Sequence, residues 1–287
     1  MLFRSLTALR QVVTGLGYPG YRGDQVAAWL YRSQVGAFDE MSNLPKPLRQ
    51  SLADRFRFGA LALEAEFVSS DGETRKAALR LPDGDLIESV LMRYPTRDDG
   101  TGAERSTVCV STQVGCPVKC AFCATGLMGF TRNLGTGEIM DQALHFLRWS
   151  RAVPPTVRNV VFMGMGEPLA NYKAVMRSIR NITTPQPDGL GISARSITLS
   201  TVGLVPGIEK LTNEGVNVTL AVSLHTPDDE LRDTLVPVNS RWKVREVLEA
   251  ADKYAEKTGR RYSIEYALIR DINDQQWRAD LLGKLLK

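Results

Sequence analysis

The stretch Cys109-Val-Ser-Thr-Gln-Val-Gly-Cys116-Pro-Val-Lys-Cys120-Ala-Phe-Cys123 contains all four cysteines of the 287-residue chain. The spacing of Cys116, Cys120 and Cys123 allows one short loop to direct three thiolates to one centre. Thiolates are soft donors that suit iron–sulfur clusters, zinc or Cu(I). A cubane iron–sulfur cluster normally takes four cysteines, so three neighbouring cysteines leave one iron free to bind another ligand.

Zinc is the main alternative, because it also binds closely spaced cysteines and takes a fourth ligand from elsewhere, such as Cys109. Buried inert thiols are a second alternative. The context disfavours both. Zinc knuckles usually have two C-x-x-C halves, whereas this triplet follows a predicted strand and leads into the glycine-bearing loop Ala124-Thr-Gly-Leu-Met-Gly129.

The composition is that of an ordinary globular protein, with 43% hydrophobic and 24% charged residues. The length permits two domains. No apolar run is long enough to span a bilayer, and the N-terminus lacks the core of a signal peptide. These features predict a cytoplasmic protein without a membrane segment. Four cysteines crowded into one stretch are a poor disulfide framework and a good metal site.

The net charge of +4 is concentrated at one end. Residues 1–60 contain eight Lys and Arg against four Asp and Glu, which accounts for the whole net charge. A basic N-terminal module fits contact with a phosphate backbone. A solvated surface without a partner is the alternative that charge alone leaves open.

The pattern of the chain predicts three segments. Residues 1–60 have helical periodicity, including a helix around 22–31 and a second helix that starts at Asp39. Residues 61–104 predict a β-meander, with Pro95–Glu104 as a linker. Residues 105–287 alternate between strand and helix, which predicts an α/β fold with a parallel sheet and its chemistry at the strand C-termini. The predicted strands of this third segment are Ser106–Gln113, Asn159–Met163, Ser196–Thr201, Asn217–Ser223 and Tyr262–Ile269; the predicted helices are Glu138–Ser150, Asn171–Ile182, Pro206–Asn213, Val244–Thr258 and Asp274–Lys287.

Two positions on predicted strands are candidates for chemistry. Glu88 shares a strand face with the apolar residues Leu86, Val90 and Met92, and burial there would raise its pKa and ready it for proton transfer. A strand-edge glutamate that pairs with a nearby arginine is the alternative. Cys109 shares a face with Ser111 and Gln113, which predicts that its thiol points towards the active site.

A further motif, Phe162-Met-Gly-Met-Gly-Glu167-Pro-Leu169, directly follows a predicted strand. Its two glycines allow the backbone to approach a ligand closely, and Pro168 stiffens the exit. It is not a phosphate loop, because no Gly-Lys-Ser/Thr follows, and it lacks the third glycine of a dinucleotide-binding fingerprint.

The cysteine triplet resembles the signature of radical S-adenosylmethionine (SAM) enzymes. Together with Gly-Met-Gly-Glu-Pro, Cys123-Ala-Thr-Gly, Leu199-Ser200-Thr and Ser223-Leu-His225, the stretch from Cys109 resembles the RNA adenine methyltransferases of the RlmN/Cfr group. The resemblance runs from about residue 18 to the end of the chain. It implies a partial (β/α) radical-SAM barrel with five of its six strands present, preceded by the small helical domain and the β-meander.

The resemblance also implies cofactors and site residues. A [4Fe-4S] cluster is expected on Cys116, Cys120 and Cys123, and its open iron binds SAM. Glu88 matches the proton acceptor of the group, and Cys109 matches a second cysteine that releases the RNA by forming a disulfide. The positions that match SAM contacts are Gly166, Glu167, Ser200, Ser223, Leu224 and His225.

The activity implied by the resemblance is methylation of adenosine C2 in 23S rRNA and tRNA. In this group a methyl group first moves to a cysteine near the C-terminus, and a SAM-derived radical then activates it for addition to C2. An electron donor such as flavodoxin or ferredoxin with its reductase is expected, and we expect a monomer.

One departure from the group is clear, because no cysteine follows Cys123. The methyl-carrying cysteine is therefore missing. The helical pattern of Trp277, Leu281 and Leu285 runs to the end of the chain without a capping glycine. We expect a C-terminally truncated chain that holds a cluster and SAM but does not methylate RNA. The alternatives are the C8-directed sister group, a zinc-stabilised RNA-binding module, and a non-catalytic remnant.

Overall fold

The computed structural model describes residues 5–59, 61–95, 104–152 and 156–287. Its first segment is helical, with α1 at Leu6–Gly15, α2 at Tyr21–Ala27, a π-helical turn at Ala28–Arg32, and α3 at Lys46–Arg55. Leucines and Tyr31 from these helices are fully buried. The helix expected from Asp39 is wrong in its start: Phe38–Glu40 is a single 3-10 turn, and α3 begins after Pro45, because proline fits only the first turn of a helix.

An eight-stranded sheet forms the centre of the molecule. Its strands follow the order β1, β2, β3, β4, β7, β8, β9, β10. The strands β1 to β4 are antiparallel, and β4, β7, β8, β9 and β10 are parallel. The bounds are β1 Ala62–Val68, β2 Thr74–Arg80, β3 Leu86–Tyr94, β4 Arg105–Cys109, β7 Asn159–Phe162, β8 Ile197–Thr201, β9 Thr219–Ser223 and β10 Ser263–Glu265.

The α/β class and the five parallel strands predicted for residues 105–287 are confirmed. The predicted meander is present too, and it continues the same sheet, because β3 pairs with β4 from Val90 opposite Cys109 to Tyr94 opposite Arg105. Of the linker expected at Pro95–Glu104, residues 96–103 lie outside the described residues.

The first parallel strand is shorter than predicted. The run Ser106–Gln113 divides into β4 and a separate short strand, β5 at Gln113–Gly115. The reason lies at Ser111, whose N–H donates to Oε1 of Gln142 while its carbonyl accepts from Nε2 of the same side chain. A buried amide therefore replaces the neighbouring strand at this point. The last strand, β10, is also shorter than the predicted Tyr262–Ile269.

Helices pack around the sheet at bounds close to those predicted. They are α4 Ala124–Leu127, α5 Thr136–Ala152, α6 Tyr172–Thr183, α7 Val205–Thr212, α8 Asp229–Leu235, α9 Val244–Thr258 and α10 Gln276–Leu285. Only α4 and α8 were not predicted. None of the described helices has the length and apolar character of a membrane span.

The N-terminal helices are attached to the sheet through α5. Arg148 of α5 donates to the carbonyl oxygens of Gln34 and Val35, and the Asp141 carboxylate accepts from the N–H of Leu61. One continuous hydrophobic cluster extends from Leu9 in α1 to Tyr254 in α9. The helical segment and the sheet therefore share a core.

Candidate active site

The loop that carries the cysteine triplet is clamped at both ends. Before it lies β5, and after it lies β6 at Phe130–Asn133; the two strands pair with each other. The N–H of Cys116 donates to the carbonyl of Gly129. Gly115 has φ +71°, and a Cβ there would stand 1.9 Å from the Gly129 oxygen. Only glycine permits this closure.

The middle of the loop rests on α8. The N–H of Ala121 donates to the carbonyl of Leu235 at the end of α8, at 2.9 Å. Cys120 is buried together with Leu235 and Val236 in a small hydrophobic cluster separate from the main core. The loop therefore has its own support on the side away from the β5–β6 hairpin.

The three thiols fit a cluster site in their chemistry and environment. Burial raises the pKa of Cys120 to about 12 and raises that of Cys116, and in both cases a neighbouring thiolate of the triplet adds to the rise. They thus share one poorly solvated region, where a bound metal centre would supply the positive charge that thiolates need. Within the described parts of the chain, no three His, Cys, Asp or Glu side chains converge tightly enough to hold a single metal ion.

A cavity of about 240 Å³ opens at the C-terminal ends of the parallel strands. Its walls come from the ends of β7, β8, β9 and β10 and from the loop that follows β7. Four of the six predicted SAM contacts line it. The lining residues are Phe162, Met163, Gly164, Gly166, Glu167, Pro168, Ser200, Val202, Ser223 and Glu265.

Glu167 is a buried carboxylate held by backbone groups. Its Oε1 accepts from the N–H of Leu169 and its Oε2 accepts from the N–H of Val202, each at 2.9 Å. Burial nevertheless raises its pKa to about 7, against the opposing effect of these hydrogen bonds. The side chain is therefore fixed in orientation, and its charge depends on what enters the cavity.

The loop that follows β7 and contains Gly164 and Gly166 packs closely against Gln113. Gly166 has φ +103°, and a Cβ there would lie 2.6 Å from Cβ of Gln113. The Gln113 side chain in turn accepts from the N–H of Glu167 and donates to Asn133 of β6. The glycines thus seat the loop against the segment just before the cysteines, and they also form part of the cavity wall.

Two serines face each other across adjacent strand ends, with Oγ of Ser200 and Oγ of Ser223 2.9 Å apart. The other two predicted SAM contacts, Leu224 and His225, are not among the residues that line this cavity. Leu224 is fully buried. His225 lies against Phe122 of the loop that carries the cysteine triplet (the cluster loop, residues 116–123), with ring centroids 4.7 Å apart.

His225 is neutral at physiological pH, because burial lowers its pKa to about 4. Its backbone has a φ of +64°, which is unusual for a residue with a side chain. Its Nδ1 accepts from the N–H of Ala267 at 3.1 Å, so the ring proton is on Nε2. The imidazole therefore offers one N–H donor beside the cluster loop.

Cys109 and Glu88 lie on the same face of neighbouring antiparallel strands, because Val90 is directly opposite Cys109 and Glu88 is two residues before Val90. The Cys109 thiol is half-buried and free, and burial raises its pKa to about 11. A backbone N–H of Met163, which lines the cavity, donates to it.

The expectation that Glu88 is buried is wrong. Its side chain is half exposed and forms an ion pair with Lys76 at 2.9 Å. The opposite face of β3, with Ile87, Ser89 and Leu91, is the buried one. Both faces are apolar in sequence, so alternation alone did not identify the inner face. The Glu88 backbone still contacts the site, since its carbonyl accepts from Oγ of Ser111.

Two charged residues near the site were missed by sequence reasoning. Glu265 ends β10 opposite Ser223 and lines the cavity. Arg232 of α8 is fully buried behind the cavity and donates to the carbonyls of Val202 and Leu224. Glu265 belongs to no motif. The signal for α8 was Asp228, which caps it, followed by two acidic residues in the first turn.

Comparison with known proteins gives a consistent result. Residues 110–282 match the family profile of the radical SAM superfamily, and residues 3–57 match that of the ribosomal RNA large subunit methyltransferase N-terminal domain. A probable dual-specificity RNA methyltransferase RlmN from Salinispora tropica is 54% identical over 286 residues, which cover 98% of this chain and 75% of that protein. Its counterpart from Rhodococcus jostii is 55% identical over 284 residues, with 97% and 74% covered.

A solved structure supports the same relationship. The crystal structure of a radical SAM methyltransferase from Sphaerobacter thermophilus superimposes with a TM-score of 0.93 at 45% sequence identity, and the match covers all of this chain and 81% of that one. The chain therefore belongs to the radical SAM superfamily and, within it, to the RlmN-type RNA methyltransferases, whose cofactors are a [4Fe-4S] cluster and S-adenosylmethionine.

Proposed function

We propose that this chain provides the cluster site, the SAM site and the RNA-facing residues for methylation of adenosine C2 in 23S rRNA and tRNA. One observation carries this proposal: the cysteine loop and the strand-end cavity adjoin. Val202 contacts both. Its N–H donates to Glu167 in the cavity wall, and its side chain packs on the small hydrophobic cluster that contains Cys120.

Cys116, Cys120 and Cys123 would hold the [4Fe-4S] cluster, and the cavity would hold SAM. When bound, the reduced cluster supplies the electron that breaks a carbon–sulfur bond of SAM. Gly166 and Glu167 would contact the methionine part, whose ammonium group suits a buried carboxylate. The hydroxyl groups of Ser200 and Ser223 and the carboxylate of Glu265 form a polar wall that suits the ribose hydroxyls. We also assign Leu224 and His225 to this subsite, on the side of the cluster loop.

Glu88 and Cys109 would serve the RNA. The half-exposed Glu88 carboxylate is accessible to a nucleotide, so it is placed to accept the C2 proton. Cys109 would form the disulfide that releases the RNA. Its sulfur partner in the RlmN/Cfr group is the methyl-carrying cysteine, and no cysteine follows Cys123 here. We expect the reconstituted chain to cleave SAM reductively.

The other partners follow from this chemistry. The basic helical segment, residues 1–60, would contact the RNA backbone. A flavodoxin or a ferredoxin with its reductase would supply electrons. We expect the chain to act as a monomer in the cytoplasm, where its RNA substrates are found.

The test is anaerobic reconstitution with iron and sulfide, followed by dithionite and SAM. The expected result is a [4Fe-4S] spectrum that changes when SAM is added, and formation of 5′-deoxyadenosine that is lost in Cys120→Ala. Bound zinc without iron would indicate the RNA-binding module instead. Absence of SAM cleavage from a fully loaded cluster would indicate a non-catalytic remnant.

RNA from the same reaction should be digested to nucleosides and analysed by mass spectrometry. The proposal expects any methylated adenosine to be 2-methyladenosine. Formation of 8-methyladenosine would instead identify the C8-directed sister activity.

A further inference from the structure

We propose that Arg232 is the buried countercharge of the iron–sulfur cluster and that it fixes the cluster loop relative to the SAM cavity. This inference rests on the proposed function, since it requires a cluster on Cys116, Cys120 and Cys123. Arg232 is a positioning and electrostatic residue in this scheme, and it touches no reacting atom.

Arg232 is the largest fully buried side chain among the described residues, with 0% exposure. Its guanidinium donates to four oxygens that are all neutral. Nε donates to the carbonyl of Leu224, Nη2 donates to those of Val202 and Ser223, and Nη1 donates to Oδ1 of Asn239 at 2.7 Å. Among the described residues, no carboxylate forms an ion pair with it.

The carboxylates of Asp229 and Asp233 do not contact the Arg232 guanidinium directly, because Asn239 lies between them. The amide nitrogen of Asn239 donates to Asp229 and to Asp233, so Asn239 separates both from the guanidinium. Asp233 is in addition paired with Lys243 on the surface. The arrangement satisfies the hydrogen bonds of Arg232 and leaves its charge largely uncompensated.

An uncompensated buried charge is costly, and proteins normally pair it or place it beside a metal centre. Burial lowers the pKa of Arg232 to about 10. The guanidinium remains charged at neutral pH even so. A cluster bound through thiolates beside α8 would supply the missing negative charge.

The geometry directs Arg232 towards the cluster loop. It sits on α8, whose last residue, Leu235, accepts from Ala121 next to Cys120. Leu231 and Leu235 of the same helix pack on the hydrophobic cluster that contains Cys120. Three thiolates on an oxidised cubane core leave a net negative charge, and one-electron reduction adds another. A nearby buried cation stabilises both forms, and the reduced form more.

The same side chain connects the loop to the cavity. Val202 and Ser223, which both line the cavity, give their carbonyls to the guanidinium. The ends of β8 and β9 are thereby held to α8, and α8 is held to the cluster loop. One residue thus fixes the distance between the cluster ligands and the SAM contacts.

The test uses three variants of the full chain, reconstituted anaerobically. Arg232→Met removes the charge, Arg232→Lys keeps the charge but loses the planar fork, and Asn239→Asp keeps the arginine and places a carboxylate against it. The readouts are the cluster midpoint potential from a redox titration monitored by electron paramagnetic resonance, and the melting temperature with and without the cluster.

We expect a more negative potential in Arg232→Met and Asn239→Asp, and a potential close to wild type in Arg232→Lys. The melting temperature of the wild type should rise more on cluster assembly than that of Arg232→Met. Arg260→Met is the matched control, because Arg260 lies at the opposite end of β9 and donates to Thr219 and to the carbonyl of Arg195. This control should leave the potential unchanged.

Unchanged potentials in all three variants, with stability losses like that of Arg260→Met, would reduce Arg232 to a structural residue and overturn the inference. If Arg232→Met does not fold, the potentials of Asn239→Asp and Arg232→Lys decide in the same way. A wild-type chain that assembles no cluster would instead contradict the proposed function.

Discussion

At the scale of single residues, Glu265 differs from the other carboxylate of the cavity. Both oxygens of Glu167 already accept backbone N–H groups, whereas none of the described residues donates a hydrogen bond to the Glu265 side chain. A carboxylate at the end of a strand, with hydroxyl groups beside it, is available to a ligand. Its role as a SAM contact is therefore directly testable.

Glu265→Gln should weaken SAM binding to the reconstituted protein about tenfold or more, because a hydrogen bond to a charged group contributes about 1.5–3 kcal/mol. Isothermal titration calorimetry measures this. Ser263→Ala, on the same strand but exposed, is the control and should bind SAM normally. Equal affinity in wild type and Glu265→Gln would exclude Glu265 from the contact.

Glu167 and His225, whose pKa values are both shifted, should give opposite pH dependences of stability in the chain without cofactors. Folded Glu167 binds its proton more tightly than unfolded glutamate, so its contribution to stability falls by about 3 kcal/mol as pH rises from 4.5 to about 7. Folded His225 binds its proton more weakly than unfolded histidine, so stability rises as pH rises from about 4 to 6.5.

Urea unfolding at several pH values separates these effects. Between pH 4.5 and 6.5 the two slopes offset each other in the wild type. Glu167→Gln should leave a stability that rises with pH, and His225→Gln should leave one that falls. Parallel curves for the three proteins would show that neither pKa is shifted as described.

At the scale of elements, the β5–β6 hairpin determines whether the cysteine loop closes. Gly115→Ala would place a Cβ against the Gly129 carbonyl and strain a positive φ, so we expect a loss of more than about 2 kcal/mol and poor iron incorporation. Gly129→Ala is a matched control, since Gly129 also has a positive φ, of +82°, but open space around it. It should cost only about 1–2 kcal/mol. Iron content and thermal unfolding check both.

The position of Glu88 in the strand pair β2–β3 predicts only a small effect of its substitution on stability. Because the Glu88–Lys76 pair is on the surface, Glu88→Gln should change the free energy of unfolding by less than about 1 kcal/mol. SAM cleavage by the loaded protein should also be unaffected, since the proposed role of Glu88 involves only RNA. Lys76→Met breaks the same pair and serves as control. A large loss of stability in Glu88→Gln alone would point to a structural role.

The strands and most helices were predictable because their apolar runs and periodicity are strong. The run 219–223, for instance, is nearly continuous in apolar residues and is buried on both faces. Exceptions have local causes. The helix α8 was missed because it is short and polar, and Glu88 was misjudged because both faces of its strand are apolar. The cavity residues that carry motifs were anticipated; Glu265 and Arg232 act through their position in the fold, which sequence spacing does not reveal.

At the scale of the whole molecule, the basic helical segment precedes the residues of the candidate active site, the first of which is Glu88. Lys46 and Arg57 are exposed on the helical segment. If this segment contacts the RNA backbone, replacing either with Gln should weaken RNA binding and lower the salt dependence of log K by about one per phosphate contact.

Filter binding to a 23S rRNA fragment at several salt concentrations tests this. Lys253→Gln is the control, because Lys253 is an exposed lysine on α9, outside the helical segment. Its slope should equal that of the wild type. Equal slopes for all variants would show that the helical segment does not bind the phosphate backbone.

The position of β4, between the antiparallel and the parallel strands of the sheet, constrains Cys109. This strand pairs on both sides, antiparallel to β3 and parallel to β7, so neighbouring strands hold the backbone of Cys109 from both sides. The sheet therefore fixes the position from which the Cys109 side chain extends. If Cys109 takes part in RNA release as proposed, the nucleotide and the second sulfur would both have to move towards it.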